Sequence, residues 1–181
     1  MTDKEVKRFI DKFCITKDFP KEGINFIDIF PLINRVTLGR IANDLRTNAT
    51  AVIVPEARGF IFSACFDKPI VPIRKSGKLP GKVFKISSTK EYGQDVLEIQ
   101  RSHLEALTDG WLTKEVPIPV SIMDDVLATG GTAQSIIDFI NTVDIDGYTF
   151  KVVDALFFIE IKALNGRDKL KNVKVKVVYE Y

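Results

Sequence analysis

The chain is poor in the residues that build metal centres and disulfide frameworks. It holds two cysteines, Cys14 and Cys65, and one histidine, His103. Both cysteines sit among apolar residues, and neither belongs to a CxxC pair or a Cys/His cluster. A disulfide scaffold and a zinc site are therefore not expected. A lone histidine also argues against a His-based metal site. An excess of one charge is lacking too. The 26 Lys and Arg against 24 Asp and Glu leave a net charge of +2, too small to make nucleic acid the main partner. No apolar run is long enough to span a bilayer, and the N-terminus is too polar for a signal peptide. The expectation is a cytoplasmic protein without a membrane partner. Internal repeats and low-complexity segments are absent. So are G-x-G-x-x-G and G-x-x-x-x-G-K-[ST], which removes the main support for dinucleotide-binding and P-loop readings.

What is present reads as one globular domain over residues 1–181, 45% hydrophobic and 28% charged. Its most informative stretch runs from Val120 to Ala133. An apolar segment ends in Asp124-Asp125. The small-residue turn Ala128-Thr129-Gly130-Gly131-Thr132 follows, and then an apolar-periodic segment over 134–140. That order predicts buried strand, loop, helix. Glycines let the backbone approach a ligand. The hydroxyls and the N–H groups opening the helix suit an anion. An ordinary strand-to-helix turn capped by Thr would look similar. The acid pair at the strand's carboxyl end favours a phosphate cradle, because open α/β sheets bind ligands there.

The remaining elements follow from the same patterns. Residues 3–14 show helical spacing at Val6, Phe9, Ile10, Phe13 and Cys14. Pro20 and Gly23 break it, residues 24–31 read as a short extended segment and turn, and 32–45 as a second helix. Residues 51–54 form a strand that leads through Glu56-Ala57-Arg58-Gly59 into an apolar helix at 60–64. Residues 69–73 form a strand entering the basic loop Arg74-Lys75-Ser76-Gly77-Lys78. That loop suits phosphate, since it shares a rim with two anion-ready turns. Residues 83–88 read as a strand, 89–99 as a lid loop, 103–107 as a helix and 109–119 as irregular. Residues 150–159 read as a central strand, and 171–181 as an edge strand with lysines outward. Alternating strands and helices imply an α/β fold with a mainly parallel central sheet flanked by helices.

Asp124 to Thr132 resembles the phosphoribosyl-diphosphate (PRPP) motif of type I phosphoribosyltransferases, and the chain as a whole is similar to the adenine branch of that family. Residues 19–29, Glu56 to Phe60, Arg74 to Pro80, Glu91-Tyr92-Gly93 with Leu97 to Gln100, and 159–170 carry the resemblance. It implies a type I phosphoribosyltransferase-like fold with a small N-terminal hood within 1–34 and a flexible catalytic loop. It also implies the reaction of PRPP and adenine to AMP and pyrophosphate, with Mg2+ bound mainly through PRPP, in a homodimer.

The resemblance assigns roles as well. Ala128, Thr129, Gly130, Gly131 and Thr132 would cradle the 5′-phosphate, and Asp124 and Asp125 would hold the ribose hydroxyls. Arg58, Lys75 and Lys78 would neutralise pyrophosphate, with Tyr92 closing over it. Glu91 would manage a proton at the purine, and Asn25, Phe26 and Ile27 would line the base site. The sequence departs from the branch at Ile27, where Lys or Arg is usual, at Asn25, and at Ser76, where a third cation is common. Those departures keep two further readings open: a phosphoribosyltransferase for another base, and a PRPP-binding regulator without turnover.

Overall fold

The computed structural model describes residues 3–19, 21–90 and 93–181. The chain opens on α1 (Asp3–Phe13), where Val6 and Ile10 are buried and Phe13 is exposed. The buried residues repeat every four positions, so the core-facing stripe is narrower than the sequence pattern suggests. The two-residue strands β1 (Ile15–Thr16) and β2 (Phe26–Ile27) pair antiparallel and form the hood. A 3-10 turn, Phe30–Leu32, precedes α2 (Arg35–Asp44), so the second helix starts later than its apolar pattern. Asn34 sets that start. Its Oδ1 accepts from Val36 N at 2.9 Å and Thr37 N at 3.1 Å, satisfying two orphan donors. Asn34→Ala should lower stability by about 1 kcal/mol while leaving turnover unchanged. Thermal unfolding beside an activity assay checks both.

The main sheet comprises β3 (Ala51–Pro55), β4 (Ile70–Lys75), β5 (Val83–Lys90), β6 (Gly93–Gln100), β7 (Ile118–Leu127), β9 (Tyr148–Glu160) and β10 (Lys174–Glu180). The short β8 (Asp144–Ile145) pairs off the main path with β9. The order is β10-β9-β7-β3-β4-β6-β5. From β10 to β4 every pair is parallel, while β6 joins β4 and β5 antiparallel. Every residue of β3 is buried, as expected for a parallel strand covered on both faces. Alternate residues feed two cores. Ala51 and Ile53 pack with residues of α3 (Arg101–Thr108) and α4 (Gly131–Ile140), among them Leu104 and Ile136. Val52 and Val54 pack with Val6, Ile10, Ile41 and Phe62 on the other face. The result is helix, sheet, helix in three layers, as the sequence pattern implied.

Several expectations are corrected. Residues 93–100 are a strand rather than lid. Their charged side chains obscured the pattern, yet Leu97 and Ile99 are buried and the backbone pairs on both sides. Arg58–Cys65 is a 3-10 helix, longer than the expected 60–64. α4 begins at Gly131, three residues before the apolar period, with Gly130 rather than Thr as its cap. The strand 150–159 lies inside the sheet but next to its edge, since β10 forms the border. On β10, Lys176 is not simply outward: its Nζ lies 3.2 Å from Asp154 and donates to the Arg46 carbonyl. That pair belongs to a cluster at the far end of the strands from β7's carboxyl end, where Thr47 donates to Asp154 at 2.7 Å. Among the described residues no helix is long and apolar enough to cross a membrane.

Candidate active site

The chain runs from β3 outward to β4, then returns to place β7 on β3's other flank. Such a reversal leaves a crevice at the strands' carboxyl ends. The turn after β7 and the turn after β3 both open there.

The first turn builds a small cradle. Ala128 to Ala133, with Asp124, Leu127 and Phe157, line a cleft of about 90 Å3. Gly130 sits at φ +76, a conformation that glycine adopts without strain. The first turn of α4 then presents backbone N–H groups and the positive end of its dipole. The five residues expected to form this cradle are therefore together.

Outside the cradle's lining, Gly166 backs the loop as its floor, and sequence reasoning gave it no separate role. A Cβ on Gly130 would collide with the Gly166 carbonyl, and a Cβ on Gly166 would collide with the Ala128 carbonyl and lie 3.0 Å from Gly130 N. Two chain segments thus touch backbone to backbone. Their contact is held in place from below. Ile161 N donates to Leu127 O at 2.9 Å, and Asn165 turns the chain in the left-handed region at φ 49. Glu160, buried at 2% exposure, receives the Arg167 guanidinium as a fork, with Nε at 3.1 and 3.2 Å. The Asn165-Gly166 pair, a turn dipeptide ahead of a charged residue, is the sequence signal that marks this floor.

Next to the cradle, and sharing Asp124 and Thr132 with it, lies a cleft of about 620 Å3. Phe26, Glu56, Arg58, Lys75 and Asp125 also line it. Arg58 and Lys75, expected to act together, thus line the same cleft. Lys78 is exposed and does not line it. Two carboxylates fix the basic loop. Arg74 Nε donates to Glu56 at 2.7 Å and Lys75 N at 2.8 Å. Burial pushes the Glu56 carboxyl up, but the Lys75 N–H and the Arg74 guanidinium outweigh it and hold it below the usual range. Ser76 Oγ donates to Glu98 at 2.6 Å and Gly77 N at 2.8 Å, and these bonds hold the Glu98 carboxyl down as well. Ser76 thus serves as an anchor where a third cation was missing.

The acid pair is divided in its environment. Asp124 Oδ1 accepts the Asp125 N–H at 2.8 Å. Burial first, and then the neighbouring Asp125 charge, push the Asp124 carboxyl well above its ordinary range. Asp125 is 6% exposed, and its Oδ2 lies 2.6 Å from Arg58 Nε without an aligned hydrogen bond among the described residues. A raised carboxyl favours the native state when protonated, so ionised Asp124 costs stability at neutral pH, and that cost fades as pH falls through its raised value. Asp124→Asn should therefore melt higher than the parent at pH 8, by about 2–4 °C per kcal/mol relieved. The gap should close toward pH 4, and melting curves across that range would test it.

The base-site residues separate. Phe26 faces the large cleft, whereas Asn25 and Ile27 line a second cavity of about 300 Å3 with Ile15, Ile161, Leu164 and Tyr181. Alternation along an extended segment accounts for this split. Ile27 meets the cleft's machinery through its carbonyl, which accepts from Arg58 Nη1 at 2.8 Å. Glu91 and Tyr92 lie outside the described residues.

No protein-family model matches the chain. Individual proteins do. The chain is 38% identical over 169 residues to the adenine phosphoribosyltransferase of Mycoplasmopsis pulmonis, covering 88% of this chain and 90% of that one. It belongs to the adenine phosphoribosyltransferase family. Crystal structures agree across nearly its whole length. The adenine phosphoribosyltransferase of Thermoanaerobacter pseudethanolicus superposes with a TM-score of 0.77 at 31% identity, covering 99% of this chain and 100% of that one. The Saccharomyces cerevisiae adenine phosphoribosyltransferase, complexed with adenine and an imino-altritol bisphosphate, gives 0.70 at 28%, covering 95% and 97%. The type I phosphoribosyltransferase fold expected from the sequence is the one present. Membership in the adenine phosphoribosyltransferase family gives the cradle and cleft a common frame.

Proposed function

We propose that this chain transfers the 5-phosphoribosyl group of PRPP to adenine, releasing AMP and pyrophosphate. The observation that carries this reading is the continuity of the two spaces. A backbone-lined cradle for one phosphate opens into a cleft bearing three carboxylates, two cations and an aromatic ring. That sequence of groups matches the 5′-phosphate, ribose, pyrophosphate and base of the reactants in turn. The relative from Saccharomyces cerevisiae, crystallised with adenine and a bisphosphate, supports the pairing of ligands.

In this reading Ala128 to Thr132 bind the 5′-phosphate through backbone and hydroxyl groups, and Asp124 and Asp125 hold the ribose hydroxyls. Arg58 and Lys75 face pyrophosphate, with Lys78 contributing charge from the loop's outer side. Phe26 supplies a stacking surface for the base. The C1–O bond to pyrophosphate breaks and its electron pair leaves with pyrophosphate. The purine nitrogen bonds to C1, and its proton passes to Glu91. Cations offset charge on the departing group, while Tyr92 helps close the site. Mg2+ fits as an ion carried by the pyrophosphate, because the cleft offers oxygen donors but few of them. An ion that keeps waters and takes one or two carboxylates suits that set. Bound there, the ion would supply charge neutralisation at pyrophosphate, and in this reading the chain acts as a cytoplasmic homodimer.

Incubation with PRPP, Mg2+ and adenine should yield AMP and pyrophosphate in equal amounts. A panel of other purines and pyrimidines completes the test. No AMP at high enzyme concentration, or a clear preference for another base, would refute adenine transfer. The case for another base rested on Asn25 and Ile27, and their place on a separate cavity weakens it.

A further inference from the structure

Arg58 makes three contacts at once. Its guanidinium carbon lies 4.7 Å from the centroid of the Phe26 ring. Its Nη1 donates to the Ile27 carbonyl at 2.8 Å, and its Nε lies 2.6 Å from Asp125 Oδ2. Phe26, Arg58 and Asp125 line the same cleft. The ring of Phe19 meets Phe26 edge-on at 5.3 Å and 77°. A guanidinium is planar, cationic and suited to lying on an aromatic face. That is also how a flat heterocyclic base would use the ring.

We propose that Arg58 is a placeholder on the base platform. In the arrangement described it covers Phe26. It is drawn away when pyrophosphate, free or as part of PRPP, enters the cleft. Base binding is thereby coupled to pyrophosphate binding through one side chain. This rests on the reading of the cleft as a phosphoribosyl-transfer site.

The charges set the direction of the coupling. In this arrangement the negative group that Arg58 Nε meets is Asp125, whose Oδ2 lacks an aligned hydrogen bond among the described residues. Ribose hydroxyls donate to a carboxylate and can take over that oxygen. Pyrophosphate offers more negative charge and a geometry suited to a guanidinium fork. Both changes loosen the hold of Asp125 on Arg58 and expose the ring. A base arriving alone must displace Arg58 itself, and its apparent affinity falls by the fraction of molecules with an open platform.

Calorimetric titration of adenine into the full chain with Mg2+, with and without saturating pyrophosphate, tests this. Pyrophosphate should tighten adenine binding by about tenfold or more, equivalent to roughly 1.4 kcal/mol. Arg58→Lys keeps the charge but loses the flat stack. It should bind adenine alone more tightly than the parent and show a ratio near one. A ratio near one in the parent, or a parent-like ratio in Arg58→Lys, overturns the proposal. The parent titration decides the matter even if the variant folds poorly. Normal AMP synthesis with a ratio near one removes only this inference. Absence of AMP synthesis removes the underlying reading and the inference with it.

Discussion

Gly166→Ala should cut kcat/KM for PRPP by about a hundredfold or more, the cost of an ångström-scale misplacement in a catalytic site. The added methyl would collide with the Ala128 carbonyl and press on Gly130 N. Neither neighbour is a flexible side-chain tip. Both are backbone, and both belong to the loop proposed to hold the 5′-phosphate. The floor cannot easily recede, because Arg167 is forked onto buried Glu160. The phosphate loop must therefore give way. The loss should fall on ligands that carry the 5′-phosphate, so AMP should bind far more weakly while adenine binding with pyrophosphate stays close to that of the parent. Steady-state kinetics with calorimetry of both ligands would show this pattern. A variant within threefold of the parent would refute the role given to the floor.

Glu91→Gln should lower kcat by about a hundredfold or more, the usual cost of removing a positioned acid–base group. Adenine must shed a proton as it joins the ribose, and glutamine cannot accept one. PRPP should still bind, since phosphate and ribose are held by other residues in the proposed scheme. The strands on either side of Glu91, β5 and β6, pair along their described length. β6 is also tied to the basic loop through Glu98. Single-turnover measurement with PRPP affinity determined separately would distinguish lost chemistry from lost binding. Full activity in the glutamine variant would place the proton transfer elsewhere.

The residues that announced the fold were those whose burial depends on one interaction. Ala51 to Pro55 and the apolar run of β9 are buried on both faces, and composition alone shows that. The strand, glycine turn and helix around the acid pair were legible because an apolar run, a small-residue turn and a new apolar period follow one another there. β6 was not, because Glu98 reads as a solvent-facing charge until Ser76 and Gly77 are found donating to it. Within the 3-10 segment Arg58–Cys65, Gly59 is packed closely, so that a Cβ would stand 3.1 Å from Val54 and 3.3 Å from Asp124. No local pattern encodes that. Arg58 read as a cation awaiting an anion, whereas its partners Phe26, Ile27 and Asp125 come from distant parts of the chain. The opposite facing of Asn25 and Phe26 follows from strand alternation, but only once the pairing of β1 with β2 fixes that segment as extended.

The contact between Gly130 and Gly166 also bears on the order in which the molecule is made. The ribosome delivers the glycine turn well before its floor, Gly166, and the Arg167 beside it that holds the floor down. A nascent chain can pair β3 with β4 and bring β7 alongside while the phosphate loop stands unsupported. Ligand competence is therefore a late event in synthesis, gained only when the C-terminal quarter docks.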